Sequence, residues 1–289
     1  MDQKIIDLFN EFTHSSMPRR EFMEKLAALA GGTAAAYSAL ALLDPGYAKA
    51  ETVAANDPRI DGKRVTFKGA SGEVKGYLVQ PKAGGKHPGV LVIHENRGLT
   101  PHIQDITRRI VVDTGFTAFG IDLLSPNGGT PEPFDDDKAA QLHAKLDPKV
   151  AVQDLAAGAD YLSKLPTATG KVGCIGFCFG GGMVNLLVQQ APAPLVAAVA
   201  FYGPIPPLDN VSKIKAKLLL NYGGEDHGIT DKYPQYDEAL KKANVQHEAY
   251  VYPGAQHAFN NDTSPARYNP EAAKLAWSRS VEFFKKNLA

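Results

Sequence analysis

From Glu51 to the C-terminus, short apolar runs alternate with stretches of helical spacing, and this alternation leaves few folds open. Val90-Leu91-Val92-Ile93-His94 is a continuous apolar run bounded by Gly89 and a polar loop, as expected for a strand buried on both faces. Lys63–Lys68 and Gly72–Gln80 carry apolar residues at period two and read as an opening hairpin. Further strands are expected at Thr117–Asp122, Lys171–Phe177, Val196–Tyr202, Lys217–Tyr222 and His247–Tyr252. Between them, helical spacing covers Ile103–Thr114 (ended by Gly115), the stretch from the Ser125–Asp137 loop to Leu165, Gly181–Gln190, Tyr236–Ala243 and Pro270–Asn287. The pattern predicts an α/β fold, a mainly parallel central sheet of about eight strands flanked by helices. In such sheets, chemistry gathers just beyond the carboxyl ends of the strands.

Composition narrows the function classes. The 31 Lys+Arg of the 289 residues are balanced by 31 Asp+Glu, which argues against a nucleic-acid binder, because phosphate contacts call for a basic excess. A content of 44% hydrophobic and 21% charged residues excludes global disorder. Two cysteines are too few for a disulfide scaffold or a four-cysteine zinc site.

Residues 1–50 stand apart from the alternating pattern. Arg19-Arg20 is followed by Lys25, an uncharged segment from Leu26 to Leu43, the breakers Pro45 and Gly46, and the small-x-small tripeptide Ala48-Lys49-Ala50. That order reads as a twin-arginine signal for export of a folded protein to the periplasm, with the export machinery as partner and no stable membrane span after processing. Pro18 stands where Ser or Thr is common, and Ile5, Ile6, Leu8, Phe9 and Phe12 give the leader an amphipathic helical stripe. The alternative is a cytoplasmic enzyme that keeps these residues as N-terminal helices. Either way, residues 51–289 form the α/β domain.

The chemistry begins at Gly176-Phe177-Cys178-Phe179-Gly180, placed between a strand and a helix. This is the G-x-nucleophile-x-G elbow with cysteine where serine usually stands. Its glycines relieve a tight turn, and the helix N-terminus beyond it favours a thiolate. An elbow nucleophile needs an acid and a histidine later in the chain, each after a strand end. Asp226 in Gly223-Gly224-Glu225-Asp226 and His257 in Pro253-Gly254-Ala255-Gln256-His257 meet that requirement. Cys174, four residues earlier on the same strand, reads as core. His94-Glu95 lacks the second histidine that a zinc motif requires, so no metal is expected. Asp135-Asp136-Asp137 reads as a solvated surface or a helix cap, and Tyr202, at a strand end, as a candidate pocket residue.

Over roughly residues 60–289 the sequence resembles the dienelactone hydrolase (carboxymethylenebutenolidase) family of the α/β-hydrolase superfamily. The segments Gly-Phe-Cys178-Phe-Gly-Gly, Gly-Gly-Glu-Asp226, Pro-Gly-Ala-Gln-His257-Ala-Phe and His94-Glu95-Asn96-Arg97-Gly98 carry the resemblance. It implies a carboxylic ester hydrolase that needs no cofactor, working through an acyl-enzyme on a small ester or lactone. It further implies that Glu95 meets the sulfur and helps control its ionisation, and that the backbone N–H groups of Asn96 and Phe179 form the oxyanion hole. Two arginines by which family members grip dienelactone are absent: the neighbourhoods read Ser125-Pro126-Asn127 and Asn261. Arg97 and Arg267 are the candidate replacements.

Cysteine as nucleophile also constrains the substrate. Thiolate is a better leaving group than alkoxide, so a tetrahedral adduct on an ordinary amide would expel sulfur again. Activated esters, enol lactones or thioesters are therefore expected rather than peptides. Two readings compete from other classes: a thiol redox protein using Cys174 and Cys178, and a non-catalytic binding module on the same fold. The first lacks a C-x-x-C signature, and the intact triad speaks against the second.

Overall fold

The computed structural model describes residues 1–14, 17–43 and 51–289; Pro45-Gly46 and the Ala48-Lys49-Ala50 tripeptide lie outside the described residues. Eight strands, β1 (Ile60–Gly69), β2 (Gly72–Pro81), β3 (His87–Ile93), β4 (Thr117–Asp122), β5 (Ala168–Phe177), β6 (Leu195–Phe201), β7 (Lys217–Gly223) and β8 (His247–Tyr252), form one sheet in the order β1-β2-β4-β3-β5-β6-β7-β8. The β1–β2 hairpin and the β2–β4 pair are antiparallel, and every pair from β4 to β8 is parallel. After β3 the chain passes to β4 on one side and then returns to lay β5 on the other. The crevice beyond β3 and β5 is therefore the switch point at which such sheets bind ligands.

Side-chain alternation splits the core into two. Leu91 and Ile93 of β3 pack on one face with Leu155, Leu162, Val184 and Leu187, from helices α6 (Pro148–Ser163) and α7 (Phe179–Gln190). Val90 and Val92 point the other way, to Ile103, Ile106, Ile110 and Phe284, from α4 (Pro101–Thr114) and α10 (Pro270–Leu288). Each large side chain buried this fully contributes about 1.5–3 kcal/mol.

The boundaries differ from the periodicity in instructive ways. The helical stretch ending near Leu165 is two helices, α5 (Asp136–His143) and α6, because Asp147 accepts from Lys149 N at 2.8 Å and Pro148 opens a new first turn. A single-turn helix, α8 (His227–Thr230), follows Asp226, and α9 (Tyr233–Lys242) starts earlier than its apolar spacing, at a proline in its first turn. Strand β3 stops at Ile93 and β6 at Phe201, one residue short of expectation in each case. Tyr202 has turned to φ +38°, and His94 is held by hydrogen bonds beyond the sheet.

The N-terminal helices α1 (Gln3–His14), α2 (Arg19–Ala30) and α3 (Thr33–Leu43) have a small core of their own, with Ile6, Phe9, Phe22, Leu26, Leu40 and Leu43 buried among one another. The uncharged segment is broken at Gly31 and Gly32, both at positive φ, so α2 and α3 bend by 108°. Among the described residues no single helix is long and apolar enough to cross a membrane. The unit lies on the α/β body through largely polar contacts. Gln3 and Gln256 exchange amide hydrogen bonds, Asn96 Nδ2 donates to Thr13 O at 2.7 Å, and Ser264 Oγ donates to Leu43 O at 3.1 Å. The body is pinned from its first described residues. Thr52 and Val53 donate their N–H groups to the buried Asp105 carboxylate of α4 at 3.0 and 2.9 Å, and Arg108 Nε donates to Val53 O.

Candidate active site

Cys178 sits between β5 and α7 at φ 54°, ψ −118°. An L-residue held there carries a strain of about 1–3 kcal/mol, which only close surrounding structure sustains. That structure is glycine-built. A Cβ on Gly176 would strike the Gly180 carbonyl, one on Gly180 would strike the Ile93 carbonyl, and one on Gly181 would come within 2.6 Å of Phe201 O. The turn is pinned by Cys178 N donating to Phe201 O and Gly182 N to Cys178 O, each at 3.0 Å. Phe179 opens the helix, and the first amides of a helix have no acceptor within it.

Asp226 and His257 reach the same edge from the ends of β7 and β8. Gly224 N donates to Tyr252 O at 2.8 Å and Glu225 N to Ala255 O at 3.0 Å, locking the two turns together. A Cβ on Gly223 would lie 2.6 Å from Ala255 O, so this approach also needs glycine. The result is a 2.7 Å hydrogen bond between His257 Nδ1 and Asp226 Oδ2. Burial alone would push the His257 pKa down. The charges of Asp226 and Cys178, and hydrogen bonding of the ring to both, outweigh it and set the net direction upward. His257 is thus coupled to the carboxylate on one side and the thiol on the other. Cys178 and His257 are 5% and 1% exposed.

Cys174 is fully buried and its pKa is driven up by desolvation, which makes it inert. Neither cysteine is in a disulfide.

Glu95 and Asn96 border the cavity over Cys178. Glu95 Oε2 accepts from Asn261 Nδ2 at 2.9 Å, and Asn261 Oδ1 accepts in turn from Thr263 N and Oγ1. Asn261, noted in the sequence only for the arginine it replaces, therefore holds the glutamate. His94, read in the sequence only as a dismissed zinc ligand and as part of the His94–Gly98 segment, also has a positioning role. Its Nε2 accepts from Leu123 N at 3.0 Å, so Nδ1 carries the proton and donates to Glu95 O at 2.5 Å. Desolvation pushes the His94 pKa down against the opposing pull of Asp122 and the Glu95 carbonyl.

Arg97 lines the cavity but its Nε is paired with Asp136 Oδ1 at 3.0 Å. Asp135 caps α5 through Lys138 N, and Asp137 lies 3.6 Å from Arg19. Arg267 is buried with its guanidinium 4.9 Å over the Phe9 ring, donating from Nε to Ser264 Oγ at 3.2 Å and from Nη1 to Asn10 Oδ1 at 3.3 Å. Tyr202 lies behind the site, fully buried, its ring 5.1 Å from that of His257. Burial, reinforced by Glu95 and Cys178, holds its phenol well above the ordinary range. Its hydroxyl has no hydrogen-bond partner among the described residues.

The N-terminal helices line part of the same cavity. Phe9, Phe12, Thr13, Arg19 and Leu40 face the same cavity as Cys178 and His257, and the space left is about 40 Å³. The amphipathic stripe from Ile5 to Phe12 was the one sequence signal that this segment packs against something.

Comparison with known proteins finds relatives over the α/β body. Residues 74–288 match the Dienelactone hydrolase family. A Synechocystis sp. protein named "Putative carboxymethylenebutenolidase" is 34% identical over 243 residues, covering 78% of this chain and 96% of its own length. An Escherichia coli protein of the same name is 34% identical over 226 residues, covering 73% and 81%. The crystal structure of a "Putative Dienelactone Hydrolase" from Klebsiella pneumoniae superimposes with a TM-score of 0.68 at 30% identity, covering 78% of this chain and 98% of that one. An esterase from Pseudomonas putida, at 17% identity and a TM-score of 0.68, shares the fold and covers 99% and 97%.

Proposed function

The chain belongs to the dienelactone hydrolase family of ester and lactone hydrolases, and from that membership we propose that it cleaves activated esters, enol lactones or thioesters through an acyl intermediate on Cys178. The observation that supports the reading is the His257 imidazole, hydrogen-bonded to Asp226 and electrostatically coupled to Cys178 at the rim of the same cavity. His257 Nε2 takes the thiol proton as sulfur attacks the carbonyl carbon. The same proton then passes to the leaving oxygen or sulfur as its bond to the acyl carbon breaks. Water, deprotonated by His257, attacks the acyl carbon, the C–S bond breaks, and the thiol is restored. Asp226 fixes the tautomer and stabilises the imidazolium. The N–H groups of Asn96 and Phe179 take the developing oxyanion. Glu95, steadied by Asn261, adjusts the ionisation of the sulfur. Arg97, paired with Asp136, and Arg267, stacked on Phe9, both border the cavity and are the candidate partners of a carboxylate on the substrate.

The test is turnover of a panel of activated esters, thioesters and enol lactones by the full chain beside Cys178→Ala. The variant is expected to lose about three orders of magnitude or more in kcat. Turnover that survives in Cys178→Ala removes the sulfur from the chemistry.

A further inference from the structure

The space above the nucleophile is bounded by the chain's own N-terminus. Phe9 and Phe12 of α1 and Leu40 of α3 face Cys178 across a cavity of about 40 Å³. That holds roughly three water-sized atoms, whereas a pocket for a whole organic substrate is typically about 300–1,000 Å³. The wall is fixed: Phe12 stacks on Phe22 at 4.3 Å, Phe9 lies edge-on to Phe22, and Phe22 is fully buried in the core of the helical unit. A separate groove of about 500 Å³, between Asp7, Asn10 and Glu11 of α1 and the Glu225–Ile229 turn of the body, borders Asp226 and His257 but not Cys178. The sulfur therefore faces only the small cavity.

We infer that the N-terminal helices are a specificity element, in which Phe9, Phe12 and Leu40 restrict the acyl half of the substrate to about the size of an acetyl group. The inference rests on the hydrolase reading and adds the substrate class: esters of short acyl groups. In the balanced step, sulfur bonds to the short acyl carbon, the C–O bond breaks, and the thiol proton passes through His257 Nε2 to the departing alkoxide on the sulfur side.

Two readouts on the full chain test it. The first is kcat/KM for p-nitrophenyl acetate, butyrate and octanoate. The second is the rate at which Cys178 is alkylated by iodoacetamide and by a bulky fluorescein maleimide, scored by peptide mass with buried Cys174 as the internal reference. Acetate should exceed butyrate by roughly tenfold or more, as expected where a pocket wall rejects added methylenes. Phe12→Ala and Leu40→Ala, made separately so that one misfolded variant does not decide the matter, should each narrow that gap about tenfold. They should also narrow the gap between small and bulky alkylating reagents. Esters turned over through Cys178 with an acyl profile that neither variant moves would overturn the inference and leave the hydrolase standing. No ester turnover, with alkylation selectivity relaxed by the variants, would sink the hydrolase reading and leave the wall in place. A full chain inert to every ester and activated equally for all of them by the variants would make the helices a plug and overturn the inference.

Discussion

At the residue scale, the site is held by groups that have no chemistry of their own. Gly180 is the sharpest case, because any side chain there meets the Ile93 and His94 carbonyls at the end of β3. Gly180→Ala should cost about 1–3 kcal/mol or more, seen as a lowered Tm together with lost turnover; an unchanged Tm would show that the elbow can relax. His94 carries a pH signature. Its folded pKa lies below the unfolded value of about 6.5, so below that pH the unfolded chain binds the proton more readily. Stability is thus penalised progressively as pH falls from about 6.5 towards the folded pKa. His94→Gln should flatten the dependence of Tm on pH between about 7.5 and 5, and an identical slope in variant and parent would contradict the assignment. Asp226→Asn should lower kcat by about 10²–10⁴-fold through the wrong histidine tautomer, with little change in Tm.

At the scale of elements, the body was readable because each strand announces itself. Val90–Ile93 is apolar on both faces, and the elbow glycines mark where β5 turns into α7. Cys178, Asp226 and His257 could be picked out because all three follow strand ends, and topology brings those ends to one edge. Asn261 and His94 could not, because their roles are hydrogen bonds across 166 and 29 residues that no local pattern records. The same holds for Asp105, a helix residue that secures the entry of the chain into the body at Thr52 and Val53 and also pairs with Arg109. Asp105→Asn leaves buried donors and cations short of a partner and should cost about 3 kcal/mol. For a domain of this size that corresponds to a Tm lower by roughly 6–12 °C; a loss within a degree or two would mean that the Thr52–Val53 anchor is not holding the body.

At the scale of the whole molecule, the segment that reads as an export leader is also the wall of the cavity over Cys178. Its hydrophobic stripe was visible, but what it packs against was not, since the body meets it mainly through amides, carbonyls and the Arg267–Phe9 stack. If residues 1–50 are removed on export, the site loses the wall of Phe9, Phe12 and Leu40; if they are retained, it keeps that wall. Because the helical unit has its own core, Phe22→Ala should cost about 3–5 kcal/mol there. Calorimetry should then show a separate low-temperature transition with the main one nearly unmoved, whereas a single shifted transition would mean that the unit and the body fold as one. The central claim is the acyl-cysteine. Rapid quenching of the full chain with p-nitrophenyl acetate, followed by peptide mass mapping, tests it directly. The account predicts one acetyl group on the peptide carrying Cys178, appearing within the first turnover and absent from Cys178→Ala; steady turnover with that peptide unmodified, or the acetyl on another residue, would contradict it.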